Sequence, residues 1–120
     1  MKRGAYAVLG LVLVGVALAD VITQRSGWWQ LIVFAVAPDL SMLVGGGKGL
    51  QRGQLHPRAV PIYNAVHRFW APAVLVAIAL LLRDPGWLSA GLAWSAHIAI
   101  DRSLGFGLRT REGFQRTQGA

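Results

Sequence analysis

The sequence contains no cysteine, which removes disulfides, thiolate zinc sites, cysteine nucleophiles and iron–sulfur clusters and leaves the redox compartment undefined. Negative charge is almost as scarce. Asp20, Asp39, Asp84, Asp101 and Glu112 are the only acids in 120 residues, and His56, His67 and His97 the only histidines, so any metal must be held by imidazoles and carboxylates drawn from these eight side chains. Charged residues of both signs make up 14% of the chain, where a soluble domain carries about 25%. What fills their place is apolar: 54% of residues are hydrophobic and the mean hydropathy is +0.47. These figures exclude a soluble two-domain enzyme and predict an all-α integral membrane bundle, one domain over residues 1–120.

The net charge of +7 would suggest nucleic acid in a soluble protein, but its placement argues otherwise. The basic residues collect at the N-terminus (Lys2, Arg3), in a central Gly-rich stretch (Lys48, Arg52, Arg58) and in the tail (Arg102, Arg109, Arg111, Arg116), and Arg68 alone lies well inside an apolar run. These segments lack interleaved aromatic residues, so they read as topology signals and contacts for anionic lipid head groups in the bilayer, not as a nucleic-acid surface.

Four apolar runs, at about 5–22, 28–44, 61–82 and 85–104, are each expected to form a transmembrane helix. Asp84 and Pro85 supply a cap and a first-turn proline for the last. A cytoplasmic Gly-rich and basic loop at 45–60 is expected to be flexible, without a core of its own, and a basic tail follows at 105–120. Nine Lys and Arg residues flank the bundle on the side of the termini and the central loop, against two (Arg25, Arg83) in the short hairpins, which puts both termini and the central loop of a multi-pass chain in the cytoplasm. Lys2-Arg3, the first apolar run and Ala17-Leu18-Ala19 also fit a cleaved secretory signal, a rival reading that leaves three spans. Gly91, Ser95 and Ala99 form a small-residue stripe for close helix packing, and a bundle this small is a candidate homo-oligomer.

That topology brings ionisable residues of three helices to one leaflet: Asp39 near the end of the second, Asn64, His67 and Arg68 near the start of the third, His97 and Asp101 near the end of the fourth. His97 and Asp101 are spaced i, i+4 and Asn64 and His67 i, i+3, so each pair shares a helical face. Pro38 and Pro72 disturb the backbone beside them. Asp39, His67, His97 and Asp101 have the donor set for zinc, manganese or another divalent ion, whose bound water could attack an ester or phosphate. Arg68, with Asn64 and Arg102, would then bind an anionic substrate. The competing reading makes the same residues a hydrogen-bonded network that holds the bundle of a non-enzymatic scaffold or small permeation protein together. Asp20 is expected to pair with Arg25 at the opposite interface, and His56 to be solvated.

Pro38-Asp39-Leu40-Ser41-Met42, Tyr63-Asn64-Ala65-Val66-His67 and the run from His97 through Asp101-Arg102-Ser103 to Leu108 resemble, in this order and spacing, a family of small bacterial integral membrane proteins catalogued as domain of unknown function 4260. The resemblance covers about Gly27 to Thr117, implies a four-helix membrane protein and favours retention of the first helix. In that family the tail usually carries a histidine where Gln118 stands here. A more distant similarity is to membrane-bound metal-dependent hydrolases, in whose motifs Asp39, His67-Arg68 and His97/Asp101 have counterparts; Ser41 stands where those proteins have a second aspartate.

Overall fold

The computed structural model describes residues 2–116. It has five α-helices, α1 (Arg3–Gln24), α2 (Trp28–Val36), α3 (Val60–Val66), α4 (Trp70–Leu82) and α5 (Pro85–Ser103), with 3-10 segments at Ala37–Gly45 and Pro57–Ala59. Among the described residues the only β-type pairing is an isolated antiparallel bridge between Arg109 and Gln115. Two helical segments, Arg3–Gln24 and Trp28–Gly45, are long and apolar enough to cross a membrane, and Pro57–Leu82 makes a third if its bent halves count as one span.

The centre of the fold is its least apolar helix. Asp84 caps α5 by accepting from the Trp87 amide at 3.1 Å, with Pro85 at the first helical position. Gly86, Ser89, Ala90, Gly91, Ala93, Ala96, Ile98 and Ala99 are all buried. α1, α2 and α4 pack around this small-residue surface. A Cβ on Gly91 would lie 2.6 Å from Val76 Cγ2 and 3.1 Å from the Val76 nitrogen, so the α4–α5 approach requires glycine there. The predicted stripe therefore divides its contacts, with Gly91 facing α4 and Ala99 facing Gly10 of α1. The Arg3 guanidinium reaches the Ser103 carbonyl, while Gly27, just beyond α1, accepts from Ser89; α1 thus runs antiparallel to α5. Large apolar residues point outward instead: Leu11, Leu43 and Leu81 are 72%, 80% and 82% exposed. Small and polar residues inside with Leu, Ile and Val outside is the distribution expected where the surroundings are hydrocarbon.

Two expected helices are interrupted, each at a proline. The third run is not one helix over 61–82: it breaks at 67–69 into α3 and α4, with a bend of 40°. Pro72 has no N–H for the Arg68 carbonyl and its ring crowds that carbonyl. The broken end is repaired from α5, where Trp94 Nε1 donates to the Val66 carbonyl at 2.7 Å and the Arg102 guanidinium reaches the His67 carbonyl at 3.4 Å. The second run is α-helical only to Val36 and tightens to 3-10 geometry from Ala37 to Gly45.

The central loop has no core of its own but packs with α3 and the tail. Leu55, Ala59 and Tyr63 form a buried apolar cluster, and the tail closes over it: Leu55 donates its amide to Gly113 and Gln54 its side chain to the Glu112 carbonyl. A polar, glycine-rich segment becomes ordered here because a second segment, distant in sequence, satisfies its backbone groups. Asp20 does not pair with Arg25; its Oδ2 is buried without a hydrogen-bond partner, beside a cleft lined by Arg83 and Asp84. His56 Nδ1 accepts from the Arg58 amide and so caps the 3-10 turn that begins at Pro57.

Candidate metal centre

Four of the predicted site residues converge. One potential ligand atom from each of Asp39, His67, His97 and Asp101 lies within 4.8 Å of all the others. Asp39 Oδ1 is 3.3 Å from His67 Nε2 and 3.1 Å from His97 Nε2; Asp101 Oδ2 is 3.5 Å and 3.2 Å from the same two nitrogens. Both imidazoles therefore turn Nε2 inward, toward one carboxylate oxygen from the 3-10 segment and one from α5. The His67 and His97 side chains are 3% and 10% exposed, Asp101 21% and Asp39 50%, so the cluster is closed by the histidines and opens outward at Asp39.

The local backbone explains the histidine orientations. His97 Nδ1 lies 2.7 Å from the Ala35 carbonyl. In the 3-10 pattern that begins beside Ala35, its partner would be the nitrogen of residue 38, which is proline and has no hydrogen to give. The carbonyl accepts the imidazole N–H, and this contact aims His97. His67 Nδ1 lies 2.8 Å from the Tyr63 carbonyl one turn back, and its ring stacks on Tyr63 with centroids 4.0 Å apart. A carbonyl oxygen can only accept, so each Nδ1 carries a proton, and each neutral imidazole presents its Nε2 lone pair to the cluster.

Lone pairs and carboxylates cannot face one another unless something positive stands between them. Either protons stand between them, on Nε2 or on a carboxyl oxygen, or a cation is bound by all four groups. A tetrahedral zinc site with bonds of about 2.0–2.1 Å sets neighbouring ligands roughly 3.3 Å apart; the four nitrogen–oxygen distances here are of that scale, and the full set of four atoms spans no more than 4.8 Å. Histidine ligands also characteristically give their second ring N–H to a backbone carbonyl, as both do in this cluster.

The predicted anion-binding residues go elsewhere. Arg68 is exposed at the break between α3 and α4, and the cluster's hydrogen bonds and ion pairs are made without it. Asn64 holds the tail, its amide donating to the Arg109 carbonyl and its carbonyl accepting from the Arg109 amide. The Arg102 guanidinium carbon lies 5.7 Å from the Tyr6 ring centroid and 5.0 Å from that of Phe69, so this residue braces the His67 segment. Ser41 is buried and donates to the Pro38 carbonyl. Gln118 lies outside the described residues.

Sequence reasoning missed the supports of His67. Tyr63 precedes it by four residues, a spacing that could have suggested the stack. No sequence signal pointed to Arg109, whose guanidinium lies 4.9 Å from the Tyr63 ring and donates to the carbonyls of Gly53 and Gly113. The order Arg109, Tyr63, His67 ties the tail to the cluster. In comparison with known proteins, a family model described as domain of unknown function (DUF4260) matches residues 6–119. No curated protein and no solved structure matches.

Proposed function

The chain belongs to the DUF4260 family, whose description assigns no activity, and from the cluster we propose that it is a multi-pass inner-membrane protein that binds one divalent metal ion through Asp39, His67, His97 and Asp101 and acts as a hydrolase. The observation that carries the reading is the pair of Nε2 atoms aimed at two carboxylates while each Nδ1 is committed to a carbonyl. Zinc and manganese both accept this donor set. The chemistry a divalent ion held by these four residues would supply is a more acidic water and a polarised ester or phosphate group. Asp39, on the open side, would accept the proton of the attacking water on Oδ2, the oxygen not turned to the histidines, and return it to the departing alkoxide as the ester bond breaks.

Four spans with both termini in the cytoplasm are part of the same proposal. α5 would be the fourth, shielded from lipid on most of its surface by the other three, and the centre would lie at the cytoplasmic leaflet beside the basic loop and tail. Uncleaved α1 fits this arrangement, since Ala17 and Val21 are buried. A reporter fused after residue 120 should be active in the cytoplasm, and periplasmic activity would overturn the orientation.

A second reading draws on the same distances. Doubly protonated histidines would bond both carboxylates at 3.1–3.5 Å and make the cluster a structural network in a non-enzymatic scaffold. Elemental analysis separates the two. Detergent-purified protein incubated with divalent metals and freed of excess should retain about one ion per chain under the four-ligand site, and His97→Ala should retain none while remaining folded. Metal-free wild-type protein would leave the network as the correct account.

A further inference from the structure

α1 and α2 each pack on α5 but hardly on each other, and the crevice between them is a cavity of about 230 Å³. Val14 and Leu18 of α1, Leu31 and Ala35 of α2, and Ala93 and Ala96 of α5 form its walls, and its only polar lining residues are His97 and Asp101. From Ala93 to Asp101 it follows α5 for about 12 Å at 1.5 Å per residue. We propose that this crevice holds the hydrocarbon chain of a lipid whose ester or phosphoester group lies at the His/Asp cluster, so that the substrate class is a long-chain amphiphile drawn from the bilayer. This rests on the hydrolase reading for the chemistry, and on the crevice itself for the chain.

Three observations fix the occupant. The walls offer no hydrogen-bonding side chain before the cluster, so a polar ligand would lose its hydration along the crevice without compensation. The faces of α1 and α2 beyond it are also apolar and exposed, with Leu11 72% and Ile32 59% accessible, so in a membrane acyl chains lie against its mouth. Alanine at 35, 93 and 96 leaves the space that a larger side chain would fill. The same His97 and Asp101 that meet the crevice present Nε2 and Oδ2 to the cluster, so a chain bound there is continuous with the reactive centre. Asp39, half exposed on the open side, leaves the head group a way out to the aqueous phase.

The test uses the full chain in phosphatidylethanolamine and phosphatidylglycerol vesicles doped with a phospholipid that carries a diazirine in its acyl chain. After irradiation, labelled positions are mapped by mass spectrometry and metal content is measured on the same vesicles. Label is expected at Ala93 and Ala96, which are 5% and 3% exposed and which surrounding lipid reaches only through the crevice. Val14→Trp and Leu31→Trp, plugs on two different helices, should each reduce that label severalfold and leave labelling of Leu81 on α4 unchanged. Label confined to outward-facing residues of wild type, or α5 label that both plugs leave intact, would overturn the proposal. Bound metal with unlabelled α5 would sink the crevice alone, whereas labelled α5 without metal would keep the lipid site and remove the hydrolase reading.

Discussion

Chelation of divalent metal is expected to lower the thermal unfolding midpoint of the wild-type protein by on the order of 15 °C, and to leave His97→Ala unmoved. A ligand present at 1,000 times its dissociation constant stabilises the state that binds it by about 4 kcal/mol, and 1 kcal/mol shifts the midpoint of a small domain by about 4 °C. The geometry makes the effect large here. Without a cation, the lone pairs of His67 and His97 oppose two carboxylates at 3.1–3.5 Å unless protons stand between them. The ligands come from the 3-10 segment, the end of α3 and α5, so one ion ties together three segments distant in sequence. Scanning calorimetry or tryptophan fluorescence in detergent, with and without chelator and then with zinc restored, reads the shift. A wild-type midpoint indifferent to chelator and zinc would refute the metal centre. Because ligands must be deprotonated, the zinc-dependent part of the stability should also weaken as pH falls.

The second large effect is expected at Gly113, in the tail. Its φ of +103° disfavours any L side chain, and a Cβ there would collide with the Leu55 carbonyl oxygen. Gly113→Ala must therefore release the tail from the loop. Release breaks the bond from the Leu55 amide to Gly113 at 2.9 Å and that from the Arg109 guanidinium to the Gly53 carbonyl at 3.1 Å. A hydrogen bond to a charged group contributes about 1.5–3 kcal/mol and a neutral one about 1. A loss of about 3 kcal/mol corresponds to roughly 100-fold, so hydrogen exchange at the Leu55 and Arg116 amides should accelerate by about that factor. Gly46→Ala, where a Cβ meets nothing within 4 Å, is the control and should behave as wild type. Unchanged protection in Gly113→Ala would mean that the tail does not close over the loop as described.

Much of this architecture is written in local chemistry. The scarcity of charge and the apolar runs determine an all-helical chain with membrane-crossing segments, because backbone groups in hydrocarbon must be satisfied within the segment. Asp84 and Pro85 start α5 by themselves, and the i, i+4 spacing of His97 and Asp101 puts both on one face of a helix whatever surrounds it. Pro38 and Pro72 mark where two helices are disturbed. Each of these is a property of a few consecutive residues.

Tertiary structure decided the rest, since it depends on groups that meet only after the chain folds back. Whether Pro72 would merely kink its helix or divide it depended on Trp94 and Arg102, which satisfy the carbonyls of Val66 and His67 from α5. The inward turn of His97 depended on a carbonyl 62 residues away, at Ala35. Arg68, Asn64 and Arg102, alike in sequence as candidate anion ligands, separated into an exposed residue, a clamp on the tail and a brace between two aromatic rings. The loop at 45–60, polar and rich in glycine, gained its order from Arg109 and Gly113 more than fifty residues on. Sequence alone thus determined which residues could form a site and the helices that carry most of them; the fold decided which of them face one another, because the direction of a side chain is set by the partners that satisfy its backbone and its hydrogen bonds.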